Sequence, residues 1–230
     1  MRSIRFSDAD TGIGSKSGKT FSSDIDERHS EFKTGWCKRM SIQKNKWHEV
    51  WESRTENEKT LRSENPKEIF MELKQINGWD SSLRFKSNAI SSVFEVGFGC
   101  GANLYLFQND GCDAGGMDYA AHLIELAGRV LTNPTELICE EAANLSWNIR
   151  YEVVLSNSVF SYFDSYEYTN KVLEAMYNKA NQSIGIMDIH NIDKKEEFIQ
   201  FRRGLYQDLP KFFYEKSFFP DFAEKHNTTP

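Results

Sequence analysis

No part of the chain constrains its fold more than Val93-Phe94-Glu95-Val96-Gly97-Phe98-Gly99-Cys100-Gly101. An apolar run of strand character breaks into three alternating glycines, and a segment with helical spacing follows from Ala102. Glycine has no Cβ, so it turns through backbone conformations closed to other residues and lets the main chain approach a ligand closely. Strand, glycine turn and helix together form the opening unit of a parallel α/β sheet, whose first loop cradles nucleotide-like ligands. Asp118, a second acid farther along, suits the same kind of site.

From residue 91 onward, strand-like and helix-like runs alternate. Val93–Val96 reads as a first strand and Ala102–Gln108 as the start of a first helix. A weaker strand follows at Asp113–Asp118, where Gly115 and Gly116 reduce β-propensity. Leu123, Leu126, Ala127 and Val130 mark one helix face, which stops before Asn133-Pro134. Further strands are expected at Glu136–Cys139, Glu152–Leu155 and Ile184–Ile189, with a helix carrying Val172, Leu173, Met176 and Tyr177 between the last two. This order predicts an α/β, Rossmann-like, mostly parallel sheet with helices on both faces, over residues 86–230.

At 230 residues the chain supports one sizeable core with an appendage. Residues 1–30, rich in Ser, Gly, Asp and Lys, read as a disordered lead-in. Within them Gly12-Ile13-Gly14-Ser15-Lys16-Ser17-Gly18-Lys19-Thr20 approaches a phosphate-loop pattern but misses its register, because Ile13 stands where the first glycine belongs. Residues 31–85 carry helical spacing, with Trp47, Val50 and Trp51 on one face and Ile69, Phe70, Leu73 and Ile76 on another, and read as N-terminal helices or a lid.

A net charge of -6 and the lack of a Lys/Arg block argue against a nucleic-acid partner. The four cysteines, Cys37, Cys100, Cys112 and Cys139, show neither metal-site nor disulfide-framework spacing, which fits a reducing, cytoplasmic setting. With no N-terminal apolar core and no run near the roughly 18 apolar residues a span requires, neither secretion nor a membrane partner is expected.

Glu95-x-Gly97-x-Gly99-x-Gly101 differs from the GxGxxG dinucleotide fingerprint: its glycines alternate strictly and an acid stands two positions before the first. The pattern resembles the (D/E)xGxGxG motif of the class I S-adenosylmethionine-dependent methyltransferases. The resemblance extends over residues 91–190 at the level of motifs. It implies S-adenosyl-L-methionine as cofactor, with Glu95, Gly97, Gly99 and Gly101 around its amino-acid end. Asp118, 17 residues beyond Gly101, would hold the ribose diol, while Tyr119 lies under the adenine or on the surface. Cys139-Glu140-Glu141-Ala142 resembles the family segment bordering the adenine, with Glu141 and Ala142 at the matching positions and Glu140 as a rival acid. Asn157 falls in a segment that resembles the family's post-strand loop facing the methyl donor.

The resemblance implies an in-line methyl transfer, a reaction that positioning alone can accelerate by about 7 to 11 kcal/mol, so a dedicated catalytic acid or base is not required. His190, after the fifth strand, is the one candidate base; Tyr162, Phe163 and Tyr166 are candidates for an acceptor pocket or for packing. Ser156-Asn157-Ser158-Val159 lacks the Asp/Asn-Pro-Pro-aromatic motif of the family's nucleic-acid amine methylases, which favours a small-molecule acceptor methylated on oxygen or nitrogen. A catalytically silent donor-binding protein and a protein or peptide methyltransferase are the alternatives. Only eight residues follow Phe222, so the family's sixth/seventh-strand hairpin is expected to be missing. That would leave the fifth strand as an exposed edge open to self-association.

Overall fold

Six strands form one all-parallel sheet in the computed structural model, which describes residues 2–8, 47, 49–51, 68, 90–201 and 209–228. The strands are β1 (Ser3–Asp8), β2 (Ser92–Val96), β3 (Asp113–Asp118), β4 (Leu137–Cys139), β5 (Tyr151–Asn157) and β6 (Ala180–Ile189). Helices α1 (Ala102–Asn109), α2 (Ala121–Val130), α3 (Tyr166–Lys179), α4 (Lys195–Phe201) and α5 (Phe218–Lys225) accompany them. The spatial order is β1-β6-β5-β2-β3-β4. The chain therefore runs outward from β2 through β3 to β4, then returns to place β5 on the other side of β2. A ligand crevice opens at such a reversal, outside the carboxyl ends of the strands. The Ser156 hydroxyl, fully buried, donates to the Val96 carbonyl at 2.9 Å and ties β5 to β2 there.

Alternation along the strands supplies two apolar layers, one on each face. Phe94, Val96, Val154, Ile184 and Ile186 pack with Val172, Leu173 and Met176 of α3 and with Phe219 and Phe222 of α5. Val93, Val153, Leu155 and Met187 pack with Leu104 and Phe107 of α1 and with Leu123, Leu126 and Val130 of α2. Gly115 and Gly116, costly in a strand, have a steric reason to be there. A Cβ at Gly115 would strike the Tyr151 hydroxyl, and one at Gly116 would strike the Phe98 ring and sit 3.1 Å from the Glu95 carbonyl oxygen.

Two expectations are corrected at the N-terminus. Residues 3–8 are not part of a structureless lead-in: they form β1, paired with β6 from Ser3 opposite Ser183 to Phe6 opposite Ile186. The fifth strand of the sequence reading, β6, is consequently not an open edge. Ile4 is 1% exposed in the core, Phe6 stacks on Phe219 with ring centroids 5.9 Å apart, and Arg2 donates to the Tyr177 carbonyl at 2.7 Å. Two apolar side chains among Ser, Arg and Asp are too short a pattern to read as a strand. They become one only because β6 offers a matching edge. Strand β6 also starts four residues earlier than Ile184, directly after Lys179, its opening hidden in sequence by exposed Asn181 and Gln182.

Residues 47, 49–51 and 68 are helical; the rest of the segment 31–85 and the glycine-rich stretch 12–20 lie outside the described residues. No described helix is long and apolar enough to cross a membrane. Cys100 and Cys112 are buried free thiols.

Candidate functional site

The glycine turn closes over the carboxyl end of β2. Gly97, Gly99 and Gly101 have φ of 74°, 57° and 81°, in the left-handed region that favours glycine. Gly97 is doubly constrained, since a Cβ there would also overlap the Val159 side chain. At Gly99 no described residue lies within 4 Å of where a side chain would begin.

Asp118, at the end of β3 and 8% exposed, organises this turn. Its Oδ2 accepts the Gly99 N–H at 3.0 Å, and its Oδ1 accepts the Ala120 N–H at 2.9 Å, just before α2. One carboxylate thus joins the glycine loop to the start of α2. Burial pushes the Asp118 carboxyl up to about 6, opposed by the N–H groups of Ala120, Gly99 and Tyr119 and reinforced by the charge of Glu141.

Glu95 is 2% exposed. Its Oε1 accepts from Asn103 Nδ2 at 2.7 Å, while its Oε2 is buried with no hydrogen-bond partner among the described residues. A buried carboxylate oxygen without a partner is costly, and an N–H donor brought by a ligand would satisfy it. Burial pushes the Glu95 carboxyl up to about 8; the Asn103 bond opposes this and Asp118 adds to it. Both acids have folded pKa values above their ordinary 4.5 and 3.8. The stability they contribute is full below about pH 4 and is lost as pH rises through 6 and then 8.

After β4 the two glutamates meet different partners. Glu140 Oε1 accepts the Glu141 N–H at 3.0 Å and Asn144 Nδ2 at 3.1 Å, so it braces the 3-10 turn Ala142–Asn144. Glu141 instead accepts the Tyr168 hydroxyl at Oε2, 2.7 Å away. The Glu140 N–H donates to the Asp118 carbonyl at 3.0 Å, which sets this segment beside the site acid.

At the other side of the crevice, Asn157 ends β5 opposite Met187. Ser158 and Asp188 follow on adjacent strands with φ of 60° and 59°, and the Ser158 hydroxyl donates to Asp188 Oδ2 at 2.6 Å. Two non-glycine residues held left-handed cost about 1 to 3 kcal/mol each, and such strain clusters at functional sites. His190 is buried, its ring 4.1 Å from Phe198 and 5.4 Å from Phe213, so packing accounts for its position.

Trp47 and Trp51, from the segment read as N-terminal helices or a lid, meet Tyr162, a candidate for an acceptor pocket, and Lys211, which the sequence did not single out, joins them. The Tyr119 hydroxyl donates to the Trp47 carbonyl at 3.3 Å. Trp47 and Trp51 meet Tyr162 edge-on at 4.7 and 5.5 Å, and Lys211 Nζ sits 3.4 Å over the Tyr162 ring. Tyr119 and Tyr162 thereby join one aromatic surface spanning the ends of β3 and β5. Phe163 and Tyr166 turn to packing, against Phe160 at 4.8 Å and Phe212 at 5.1 Å. No spacing rule links Trp47, Tyr162 and Lys211, and only the hydrophobicity of the first two hinted at it.

No family model and no curated protein sequence matches the chain. Among solved structures, magnesium protoporphyrin IX methyltransferase (ChlM) from Synechocystis PCC 6803, with bound SAH, superposes with a TM-score of 0.51 at 13% identity, covering 75% of this chain and 82% of that one. The plantazolicin methyltransferase BpumL, in complex with SAH, gives 0.50 at 20% identity, covering 79% and 76%. The fold is that of the S-adenosylmethionine-dependent methyltransferases. Against Streptomyces venezuelae DesVI the similarity covers 56% of this chain and about half, 51%, of that one, at 14% identity and a TM-score of 0.43. On the methyltransferase fold, Glu95, the three glycines, Asp118, Glu141, Ala142 and Asn157 all fall at the carboxyl ends of β2, β3, β4 and β5.

Proposed function

We propose that this chain binds S-adenosyl-L-methionine and transfers its methyl group to an oxygen or nitrogen of a small-molecule acceptor. The observation that carries the reading is Glu95 Oε2, a buried carboxyl oxygen that lacks a partner among the described residues. The site fits the donor: its ammonium supplies the N–H groups that Oε2 lacks, and its positive charge offsets a cluster of buried acids. Asp118 is the acid for the ribose diol, since its carboxylate keeps acceptor capacity after the N–H groups of Gly99, Ala120 and Tyr119 are served. Glu141 and Ala142 border the adenine.

The bound donor supplies a sulfonium-activated methyl group. The chain's own residues hold it in line: the glycine turn at one end, Asp118 and Glu141 at the other, and Asn157 with Ser158 beside the reacting end. The Trp47, Trp51 and Tyr162 wall excludes water and offers a flat apolar face to the acceptor. No proton-transfer residue is assigned, in keeping with catalysis by positioning.

Isothermal titration with S-adenosyl-L-methionine tests donor binding, and failure of the folded protein to bind removes the proposal. Release of S-adenosylhomocysteine when donor-loaded protein meets fractionated metabolite mixtures separates an enzyme from a silent binder. A pH dependence also follows. Glu95 is protonated below about pH 8 in the ligand-free protein and ionised against the donor's ammonium, so binding expels a proton. Affinity is expected to rise with pH up to about 8, approaching tenfold per unit for one proton. Titrations near pH 6.5 in buffers of different ionisation enthalpy should report that proton, and Glu95→Gln should abolish it.

A further inference from the structure

Resting on the methyl-transfer reading for what this end of the crevice does, we propose that β1 is a positioning strap for the acceptor end, holding a one-residue bulge in β6 that seats Asp188 on Ser158. From Ser3 opposite Ser183 to Phe6 opposite Ile186 the two strands advance together, but the next pair is Asp8 opposite Ile189. One residue of β1 therefore spans two of β6, Met187 and Asp188. Such a bulge bends its strand and re-aims a side chain. Asp188 takes up the extra length in the left-handed region, with φ of 59°.

The bulge decides which side chains the sheet buries. Side chains alternate between faces along a strand, and Ile184 and Ile186 lie in one apolar layer with Met187 in the other. Unbroken alternation would send Asp188 into the layer of Ile186 and Ile189 out with Met187. Instead Ile189 joins the layer of Ile186 at 3% exposure, and Asp188 is half-buried at the strand end. There the Ser158 hydroxyl donates to Asp188 Oδ2 at 2.6 Å and the Ser158 N–H donates to the Met187 carbonyl at 3.1 Å. The bulge thereby also fixes the left-handed end of β5 beside Asn157.

Support from β1 reaches this arrangement by two routes. Its backbone pairs on both sides of the bulge, at Phe6 and at Asp8. Its Phe6 ring stacks on Phe219 at 5.9 Å, and Phe219 lies against Phe160 at 5.9 Å and Tyr214 at 5.1 Å. Phe160 closely follows Ser158 in the chain, and the Tyr214 N–H donates to the carbonyl of His190, just past Asp188, at 2.8 Å. Glu95, the glycine turn and Asp118 belong to β2 and β3, with β6 and β5 between them and β1. Taking β1 off β6 therefore loosens the acceptor end and spares the donor end.

Amide hydrogen exchange, read residue by residue in a variant lacking residues 2–8, tests the strap. The Ser158 N–H is expected to exchange about 10-fold faster relative to the Val153–Leu155 amides of the same strand. A general loss of stability speeds both alike and leaves that ratio unchanged, which overturns the proposal, as does an unchanged Ser158 rate. Should the shortened chain fail to fold, Phe6→Ala, which keeps the backbone pairs, decides by the same ratio, with a rise of about 3-fold expected. In the full chain Asp188→Ala should raise the Ser158 rate as the deletion does, and in the shortened chain it should add nothing; additive effects overturn the coupling. Titration with S-adenosylhomocysteine keeps the two readings apart. The shortened chain should bind it within about 3-fold of wild type, as for sites that share no contact, and a loss of about 10-fold or more overturns the sparing of the donor end. No binding by wild type removes the donor reading and leaves the coupling of β1 to the bulge to be decided by the exchange ratio.

Discussion

Asp118→Ala is expected to weaken S-adenosyl-L-methionine binding by about 100-fold or more and to loosen the ligand-free site. The carboxylate accepts the Gly99 N–H at 3.0 Å and the Ala120 N–H at 2.9 Å, both in a place nearly closed to water. Hydrogen bonds to a charged group contribute about 1.5 to 3 kcal/mol each, and donors left buried without a partner cost a comparable amount. The variant therefore loses the ribose contacts and also the acceptor that sets the shape of the glycine turn. Asp118→Asn separates the two effects. It keeps one carbonyl oxygen for the backbone, so its thermal midpoint should lie between wild type and alanine while donor affinity still falls. Calorimetric titration with parallel thermal melts measures both. Donor affinity in Asp118→Ala within a few-fold of wild type would remove Asp118 from the site.

The largest loss of stability is expected from Lys179→Met. Lys179 is the last residue of α3 and has no exposed surface. Its ammonium meets Glu136 Oε1 at 2.5 Å and donates to the carbonyls of Ser146 at 2.9 Å and Ile149 at 3.1 Å. The Phe94 ring lies under it at 4.2 Å. Burial lowers the Lys179 pKa, and the Glu136 bond opposes that. Removing the ammonium is expected to cost about 3 kcal/mol, the low end for a buried pair, because the half-buried Glu136 charge and two carbonyls lose their partner. The contacts also matter to the site. Glu136 precedes β4, and Ser146 and Ile149 follow the turn that carries Glu141, so one ammonium clamps both ends of that segment. Urea unfolding should show the midpoint falling with the slope unchanged. Adding Glu136→Gln to Lys179→Met should recover part of the loss, since the orphaned acid is then neutral. A loss below about 1 kcal/mol for the single variant would show that the pair is not closed to water.

Much of the fold was legible because the features that define it are local. The glycine spacing, the apolar cores of β2, β5 and β6 and the amphipathic face of α2 each lie within about ten residues, where periodicity operates. Asp118 was legible for a related reason: the end of the next strand must lie beside the glycine loop in a parallel sheet, and the Gly99 to Asp118 bond is that adjacency. Strand β1 was not legible, because Ile4 and Phe6 acquire a partner only in β6, about 180 residues away. Sequence also left Glu140 and Glu141 as rivals. Their difference lies in what each faces, a local turn in one case and Tyr168 in the other. His190 drew notice as the histidine after a strand end, yet Phe198 and Phe213 fill the space around its ring.

The sequence by itself determined that a strand ending in an acid and three alternating glycines opens a parallel α/β sheet, since only glycine tolerates the left-handed turn and leaves a ligand room beside it. Tertiary structure alone decided how the site is finished. It left Glu95 Oε2 buried without a partner among the described residues, turned Tyr168 toward Glu141, drew Trp47 and Lys211 onto Tyr162, and seated β1 against β6. The physical reason is reach. Backbone conformational preference acts between neighbours in sequence, whereas burial and hydrogen-bond satisfaction act between neighbours in space, which only the folded chain defines.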